Sequence, residues 1–176
     1  MQVIMIRHGE PDWLQSDVRK FIGHGRSLAP LTQKGIEQAR EVAKNHLLND
    51  SQIILSSPYT RALQTASYLA VETRLDLNVE VDLREWEPDL TYTFRTAAES
   101  ASLYEDFEKC RGIYPQNETK KWESAEMAST RVINCLKPYA KLYQKIIVVT
   151  HNIVISQFVN EVPYCGMIDF VFDCAV

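Results

Sequence analysis

The sequence predicts an α/β fold in which a mostly parallel central sheet is flanked by helices, giving a three-layer sandwich. Two observations support this prediction. Short apolar runs alternate with longer stretches of helical periodicity, which is the pattern of successive βα units. The chain has 176 residues, of which 45% are hydrophobic and 24% charged, as is usual for a globular protein. Because this length suits one hydrophobic core, we expect residues 1–176 to form a single domain.

Five short apolar runs are predicted to be strands. In chain order they are Gln2 to Ile6, Gln52 to Leu55, Asn78 to Leu83, Lys145 to Thr150 and Met167 to Cys174. The fourth has the strongest strand pattern, because its β-branched residues from Ile146 to Val149 favour an extended backbone. The fifth is expected to add an edge strand to the sheet.

Helical patterns fill the segments between these strands. Thr32 is a candidate N-cap for the first helix, while Ser57 and Pro58 suit the N-cap and the first position of the second. Three later ranges are also predicted to be helical, namely 96–110, 123–143 and 152–160. Pro138 lies inside the second of these ranges, so we expect that helix to bend or to end early.

The overall composition excludes several classes of protein. The net charge of −4 argues against nucleic acid as the main partner, since such binding usually needs a broad basic face. No apolar stretch reaches the length of a membrane span. The first residues carry no leader pattern. We therefore expect a cytoplasmic protein that does not associate with a membrane. The four cysteines never show CxxC spacing and are expected to be reduced; they are Cys110, Cys135, Cys165 and Cys174.

Chemically capable side chains follow the predicted strands. His8 follows the first strand, Arg61 lies in the helix after the second, Glu85 follows the third and His151 follows the fourth. The carboxyl ends of parallel strands meet at one edge of the sheet, where ligands bind. Arg7 supplies a second guanidinium, whose donors suit phosphate oxygens. The sequence therefore predicts a site for a phosphoryl group.

This set of residues predicts phosphoryl transfer without a metal or cofactor. Arg61 lies near a helix start, where a cation is disfavoured unless an anion is bound there. A neutral imidazole can attack phosphorus, which splits one difficult displacement into two easier ones. Glu85 can protonate the leaving oxygen and then activate water. Glu87 and Asp89 lie close to Glu85 in the sequence, so the choice of Glu85 over Glu87 stays open.

At these residues the chain resembles the histidine phosphatase superfamily, which includes cofactor-dependent phosphoglycerate mutases and many small phosphatases. The resemblance covers nearly the whole length. Its motifs are Arg7-His8-Gly9-Glu10, Pro30-Leu31-Thr32 with Gly35 and Gln38-Ala39, Ser56-Ser57-Pro58 with Arg61-Ala62 and Gln64-Thr65-Ala66, Leu83-Arg84-Glu85, Glu123-Ser124 with Arg131, and Val149-Thr150-His151. It implies a phosphoglycerate mutase-like fold. It also implies that His8 is phosphorylated, that Arg7, Arg61 and His151 bind the phosphate, and that Glu85 is the proton donor.

Two positions depart from the family pattern. Many members have Asn where this chain has Leu14, so the corresponding phosphate contact should be missing. Gly usually follows the second histidine, and here the residue is Asn152, which tolerates a positive φ better than most. The sequence also ends soon after the predicted edge strand, so no long tail is expected to close over a substrate. His24 and His46 are assigned no role.

The variable segment 86–121 is expected to form a cap and to favour hydrolysis over a mutase reaction. A mutase must retain a doubly charged intermediate, which calls for a cationic lid. This segment has five basic residues against seven acidic ones; the basic ones are Arg95, Lys109, Arg111, Lys120 and Lys121. Its aromatic residues are typical of a packed cap or of a substrate with a flat or apolar part.

We therefore expect a phosphomonoesterase acting on a small phosphorylated metabolite. Three alternatives stay open: phosphoglycerate mutase-type transfer, a protein phosphohistidine phosphatase, and a phosphate-binding protein without catalysis. The length of the cap segment argues against an open protein-binding groove, and the presence of His8 argues against loss of catalysis. The sequence does not predict the oligomeric state.

Overall fold

The sheet of the computed structural model, which describes residues 1–159 and 162–173, has five strands in the order β3-β2-β4-β1-β5. They are β1 (Gln2–Arg7), β2 (Ile54–Ser56), β3 (Leu77–Val79), β4 (Lys145–Thr150) and β5 (Met167–Val171). Neighbouring strands pair in parallel except β5, which runs antiparallel to β1 at an edge. The predicted α/β fold with a mostly parallel sheet is confirmed.

Six α-helices accompany these strands in the described part of the chain. They are α1 (Leu14–Val18), α2 (Gln33–Val42), α3 (Thr60–Thr73), α4 (Ala97–Lys109), α5 (Ala125–Ala140) and α6 (Asn152–Ser156). Short 3-10 turns span Gly23–Leu28, His46–Leu48 and Val81–Leu83. Within this described part, no helix is both long and apolar enough to cross a membrane.

The hydrophobic core consists of two layers, one on each face of the sheet. Alternate strand residues point to opposite faces, so Val3 and Met5 contribute to one layer and Ile4 and Ile6 to the other. Helices α5 and α6 cover the first face, and α2 and α3 cover the second. The arrangement is the three-layer sandwich expected from the sequence.

The helix starts agree only in part with the predicted caps. Thr32 accepts a hydrogen bond from Gly35 N, as an N-cap should. The prediction for α3 is wrong, because Tyr59 is its N-cap residue and the helix begins at Thr60 rather than Pro58. The Ser57 hydroxyl is used elsewhere, since it lies 2.7 Å from His151 Nε2.

The third predicted strand ends earlier than expected. β3 stops at Val79, and the chain turns through Val81–Leu83. Side chains satisfy the backbone carbonyls of this turn, because Arg131 binds the carbonyl of Asp82 and Thr150 that of Leu83. Glu85 therefore does not follow a strand directly. It lies on a loop that the side chains of Arg131 and Thr150 hold in place.

The later predicted elements are shorter in the structure. α5 contains Pro138 in its last turn and ends at Ala140, in agreement with early termination. α6 ends at Ser156, whereas the prediction reached Asn160, which lies outside the described residues. The edge strand ends at Val171, and Cys174 lies outside the described residues too.

Segment 86–121 contains α4 and packs around a small aromatic cluster of Trp86, Phe107 and Trp122. The indole of Trp86 donates to the carbonyl of Glu123 at 2.6 Å, and that of Trp122 donates to Asp106 at 2.8 Å. These bonds join the two ends of the segment to each other and to α4.

Candidate active site

A cavity of about 370 Å³ opens at the carboxyl ends of the central strands. Arg7, His8, Arg61 and Glu85 line it. His151 is fully buried against it, with its ring centroid 5.0 Å from that of His8. The structure thus brings together all five side chains that the sequence singled out.

The His8 ring is held as one tautomer. Its Nδ1 lies 2.7 Å from the Gly9 carbonyl, and its Nε2 lies 3.2 Å from Arg61 Nε. A carbonyl only accepts and a guanidinium only donates, so Nδ1 carries the proton and Nε2 holds the lone pair. Burial, reinforced by the neighbouring Arg61 charge, lowers the pKa of His8 well below its usual value. His8 is therefore neutral, with its nucleophilic nitrogen on the Arg61 side.

A close backbone approach fixes the position of His8. A side chain at Gly9 would place its Cβ only 2.6 Å from the Gly35 carbonyl oxygen, so only glycine fits there. The Gly9 amide donates to Thr65 Oγ1, whose own hydroxyl donates to the Arg61 carbonyl. This link joins the end of β1 to the first turn of α3.

Arg61 presents an unsatisfied donor at this point. Its guanidinium is buried and lies 5.1 Å from the ring centres of both Trp13 and Tyr59. Among the residues that the structure describes, its Nη1 finds no hydrogen-bond partner. Buried donors are nearly always paired, so this atom fits a bound oxyanion.

His151 offers a second donor of the same kind. The Ser57 hydroxyl accepts from Tyr59 N at 3.3 Å and can donate to His151 Nε2, which leaves the ring proton on Nδ1. Within the described ranges this buried Nδ1 has no partner. Burial, followed by the charge of Arg61, lowers the pKa of His151 well below its usual value, so the ring is neutral.

Arg7 also holds together the opposite rim of the cavity. Its Nη1 donates to the Val162 carbonyl at 2.7 Å and to Asn152 Oδ1 at 3.2 Å, and its guanidinium lies 4.1 Å from the Tyr164 ring centre. Asn152 begins α6 in a helical conformation, so no positive φ is needed there. Tyr164 lines the cavity 5.8 Å from the His8 ring and was not predicted from the sequence.

Glu85 is half-buried at the cavity wall. Its Oε1 accepts from the backbone N–H of Trp86 at 2.9 Å. Burial raises the pKa of its carboxyl above the usual value, and the charges of Arg61 and Arg131 oppose that rise only in part. A carboxyl group in this setting can hold a proton at mildly acidic pH.

The other acidic residues of this loop have different surroundings. Glu87 is buried and lines the cavity beside His24, with its Oε2 3.4 Å from His24 Nε2. Asp89 is also buried, but its carboxylate accepts from Thr91 and Thr93. The Asp89 carboxylate therefore stabilises the turn from Asp89 to Thr93.

The structure agrees with the sequence-based expectation at Leu14 and differs from it at His24. Leu14 is 68% exposed and does not line the cavity, which agrees with the expected loss of a phosphate contact; its neighbour Trp13 lines the cavity. His24, which had been assigned no role, lies in the cavity wall.

No group of three or more His, Cys, Asp or Glu side chains suited to a metal ion occurs within residues 1–159 and 162–173. Independence from metal stays a prediction. Cys110, Cys135 and Cys165 are free and partly buried.

Comparison with known proteins shows the family. Residues 3–167 match the model of the histidine phosphatase superfamily (branch 1). Among curated relatives, a probable phosphoglycerate mutase GpmB from Proteus mirabilis is 38% identical over 85 residues, which cover 48% of this chain and 38% of the relative. The uncharacterized phosphatase PhoE from Bacillus subtilis is 29% identical over 163 residues, 91% of this chain and 76% of the relative.

Solved structures share the fold. A phosphoserine phosphatase from Entamoeba histolytica, in complex with 3-phosphoglyceric acid, superimposes with a TM-score of 0.69 at 27% identity, covering 97% of this chain and 90% of that one. YhfR from Bacillus stearothermophilus gives a TM-score of 0.72 at 20% identity, covering 98% and 92%. The chain matches only 38% of the length of the mutase relative, whereas the family model extends over most of the chain. The chain belongs to the histidine phosphatase superfamily (branch 1).

Proposed function

We propose that the protein is a metal-independent phosphomonoester hydrolase that acts on a small phosphorylated metabolite through a phosphohistidine at His8. The observation that carries the proposal is the orientation of the His8 ring. Its Nε2 lone pair lies beside Arg61, whose Nη1 has no partner in the described chain. A neutral nucleophile next to an unsatisfied oxyanion donor is the arrangement that phosphoryl transfer requires.

In the first step, His8 Nε2 attacks phosphorus and the bond between phosphorus and the alcohol oxygen breaks. Glu85, protonated because of its raised pKa, gives its proton to the leaving oxygen. Arg7, Arg61 and His151 donate to the equatorial oxygens, where the negative charge is spread. The products are the free alcohol, a phosphohistidine and the Glu85 carboxylate.

In the second step, the Glu85 carboxylate takes a proton from a water molecule as its oxygen attacks phosphorus. The bond between phosphorus and Nε2 breaks, and the electron pair returns to the His8 ring. Inorganic phosphate leaves, and Glu85 is protonated again. The same carboxyl group thus acts first as acid and then as base.

Hydrolysis is favoured over the mutase reaction by the charges around the cap. Segment 86–121 is proposed to cap the cavity, and it provides no cationic cage for a bisphosphate. Lys120, one of its basic residues, lies 3.4 Å from Asp106 and 3.2 Å from Glu118, so its charge is already balanced. PhoE, the relative named as a phosphatase, matches 91% of this chain, whereas the GpmB mutase matches 48%.

The test is hydrolysis of p-nitrophenyl phosphate with a chelator present, using the native protein, His8→Ala, and His46→Ala as a control at an exposed histidine. We expect the native protein and His46→Ala to hydrolyse the ester and His8→Ala to be inactive. Hydrolysis that requires a divalent metal, or that persists in His8→Ala, would refute the mechanism. Conversion of 3-phosphoglycerate to its isomer, faster than release of phosphate, would favour the mutase alternative.

A further inference from the structure

The outer half of the cavity contains a hydrogen-bonded chain that the proposed reaction does not use. The Tyr59 hydroxyl lies 3.1 Å from His24 Nδ1, and His24 Nε2 lies 3.4 Å from Glu87 Oε2. All three residues line the cavity. The side chain of His24 is 43% exposed and that of Glu87 only 2%, so the carboxyl group forms the deep end of this chain.

The direction of these bonds leaves a negative charge at the deep end. Burial raises the pKa of Tyr59 to about 12, so its hydroxyl is protonated and can donate to His24 Nδ1. His24 then carries its single ring proton on Nε2 and donates it to Glu87. Burial raises the pKa of Glu87 to about 7, so its carboxyl group is mostly ionised only above neutral pH. A neutral histidine then satisfies one lone pair of the carboxylate without cancelling its charge.

Cations that could serve a second anionic group of a substrate are already paired. Arg26 lines the cavity, but its Nη1 lies 2.6 Å from Asp17 Oδ1. Arg84, whose charge acts on Glu87, is shared between Asp82 at 3.3 Å and Glu123 at 3.8 Å. The guanidinium groups of Arg7 and Arg61 belong to the phosphate end. Among the described residues that line the outer half, no unpaired cation would therefore balance a carboxylate or second phosphate that faces Glu87.

Apolar surface makes up much of the remaining wall. The cap segment contributes Trp86, Phe94 and Tyr104, with Ala97 and Ala101 between them. The volume of about 370 Å³ lies in the range of pockets that hold whole small organic molecules. The alcohol part of the substrate therefore has room for a flat or apolar body beyond the phosphate.

We propose that this outer half is a subsite for the leaving alcohol that selects an ammonium group: the substrate is a phosphomonoester whose alcohol has a flat or apolar body and a protonated amine bound by Glu87. The inference rests on the proposed phosphatase function. An ammonium group supplies an unpaired positive charge opposite Glu87, and its three donors can bind the carboxylate while the body packs against the aromatic side chains.

The test uses four aryl phosphates with nearly the same leaving group. They are phenyl phosphates with a para methyl, hydroxymethyl, aminomethyl or carboxymethyl substituent. Their kcat/KM values are compared for the native protein, Glu87→Gln and Glu41→Gln at about pH 8, above the pKa of Glu87 of about 7. Glu41 is an exposed glutamate of α2 away from this cavity, so its variant controls for the loss of one negative charge.

We expect the native protein to prefer the aminomethyl ester over the methyl ester about tenfold, the effect of one well-placed charged hydrogen bond. The carboxymethyl ester should be the poorest substrate. Glu87→Gln should bring the aminomethyl-to-methyl ratio close to one, and Glu41→Gln should retain the native ratio.

Two failures are distinguishable. If none of the four esters is hydrolysed, the proposed function fails. If all four are hydrolysed but the carboxymethyl ester matches or exceeds the aminomethyl ester, the subsite is wrong while the phosphatase stands. The native ranking needs no variant, so the inference stays falsifiable even if Glu87→Gln does not fold. A native ratio that Glu87→Gln leaves unchanged would also overturn it.

Discussion

Arg131 and Glu123 form a two-pronged ion pair, with Nε 2.6 Å from Oε1 and Nη2 2.9 Å from Oε2. The same guanidinium donates to the backbone carbonyls of Arg84 at 2.9 Å and Glu85 at 3.2 Å. Glu123 in turn accepts from the Glu87 amide at 3.2 Å. One ion pair thus fixes both ends of the loop that presents the proposed proton donor.

Arg131→Lys should impair proton donation more than it impairs phosphate binding. Lysine keeps the charge but cannot form the paired hydrogen bonds that Arg131 makes to Glu123. The loop that carries Glu85 is then no longer held in position. We expect kcat to fall about tenfold to a hundredfold for an alkyl phosphate, and much less for p-nitrophenyl phosphate. This is part of the roughly hundredfold to ten-thousandfold that general acid catalysis usually contributes, because Glu85 is displaced rather than removed. Arg19→Lys, at an exposed arginine, is the control. An equal loss for both esters would mean a purely structural role.

The pH dependence follows from His8 and Glu85. Attack needs neutral His8, whose pKa is well below 6.5, so activity should already rise at acid pH. Activity should fall again as pH passes the pKa of Glu85, which is raised above 4.5, because the proton donor is then lost. The kcat/KM profile for an alkyl phosphate should be bell-shaped. Glu85→Gln should remove its alkaline limb; an unchanged limb in that variant would exclude Glu85 as the donor.

Glu87 should make the protein less stable as pH rises. Its pKa is raised from 4.5 to about 7, first by burial and then by Glu123 and Asp89, while Arg84 opposes the rise. The folded state therefore binds a proton more tightly than the unfolded state, so stability is lost as pH rises from 4.5 to about 7. The Tm of Glu87→Gln relative to the native Tm should increase between pH 5 and pH 8. A constant difference would contradict this.

Arg61→Ala should raise KM and lower kcat together. The Arg61 guanidinium faces the bound phosphate in both the ground state and the transition state, so both are weakened by its loss. We expect kcat/KM to fall about a hundredfold to a thousandfold, as for loss of one oxyanion donor. Steady-state kinetics measure this, with inhibition by inorganic phosphate as a second readout. Unchanged inhibition by phosphate would place Arg61 outside the binding site.

The sequence predicted the end of the cavity that holds the two histidines because His8 and His151 directly follow strands. The ends of strands can be predicted from the pattern of apolar residues, and the carboxyl ends of parallel strands lie at one edge of the sheet. Glu85 was identified correctly as a cavity residue, yet its position depends on the Arg131 ion pair rather than on a strand.

The outer half of the cavity could not be predicted in the same way. His24 lies in the short 3-10 turn Gly23–Leu28 and Tyr164 in a turn before β5. Backbone conformation there depends on long-range contacts such as the hydrogen bond from Gly23 N to the Phe94 carbonyl. The spacing of apolar residues in the sequence does not predict such contacts. The start of α3 was misplaced for a similar reason, because the candidate cap Ser57 pairs with His151.

A covalent phosphohistidine at His8 can be detected by rapid acid-free quenching followed by mass spectrometry. After the protein is mixed with excess p-nitrophenyl phosphate in the presence of chelator, we expect one added phosphoryl group on the peptide containing His8, stable to base and labile to acid. We expect none in His8→Ala. A phosphoryl group on any other residue, or steady turnover in which the native His8 is never phosphorylated, would contradict the mechanism.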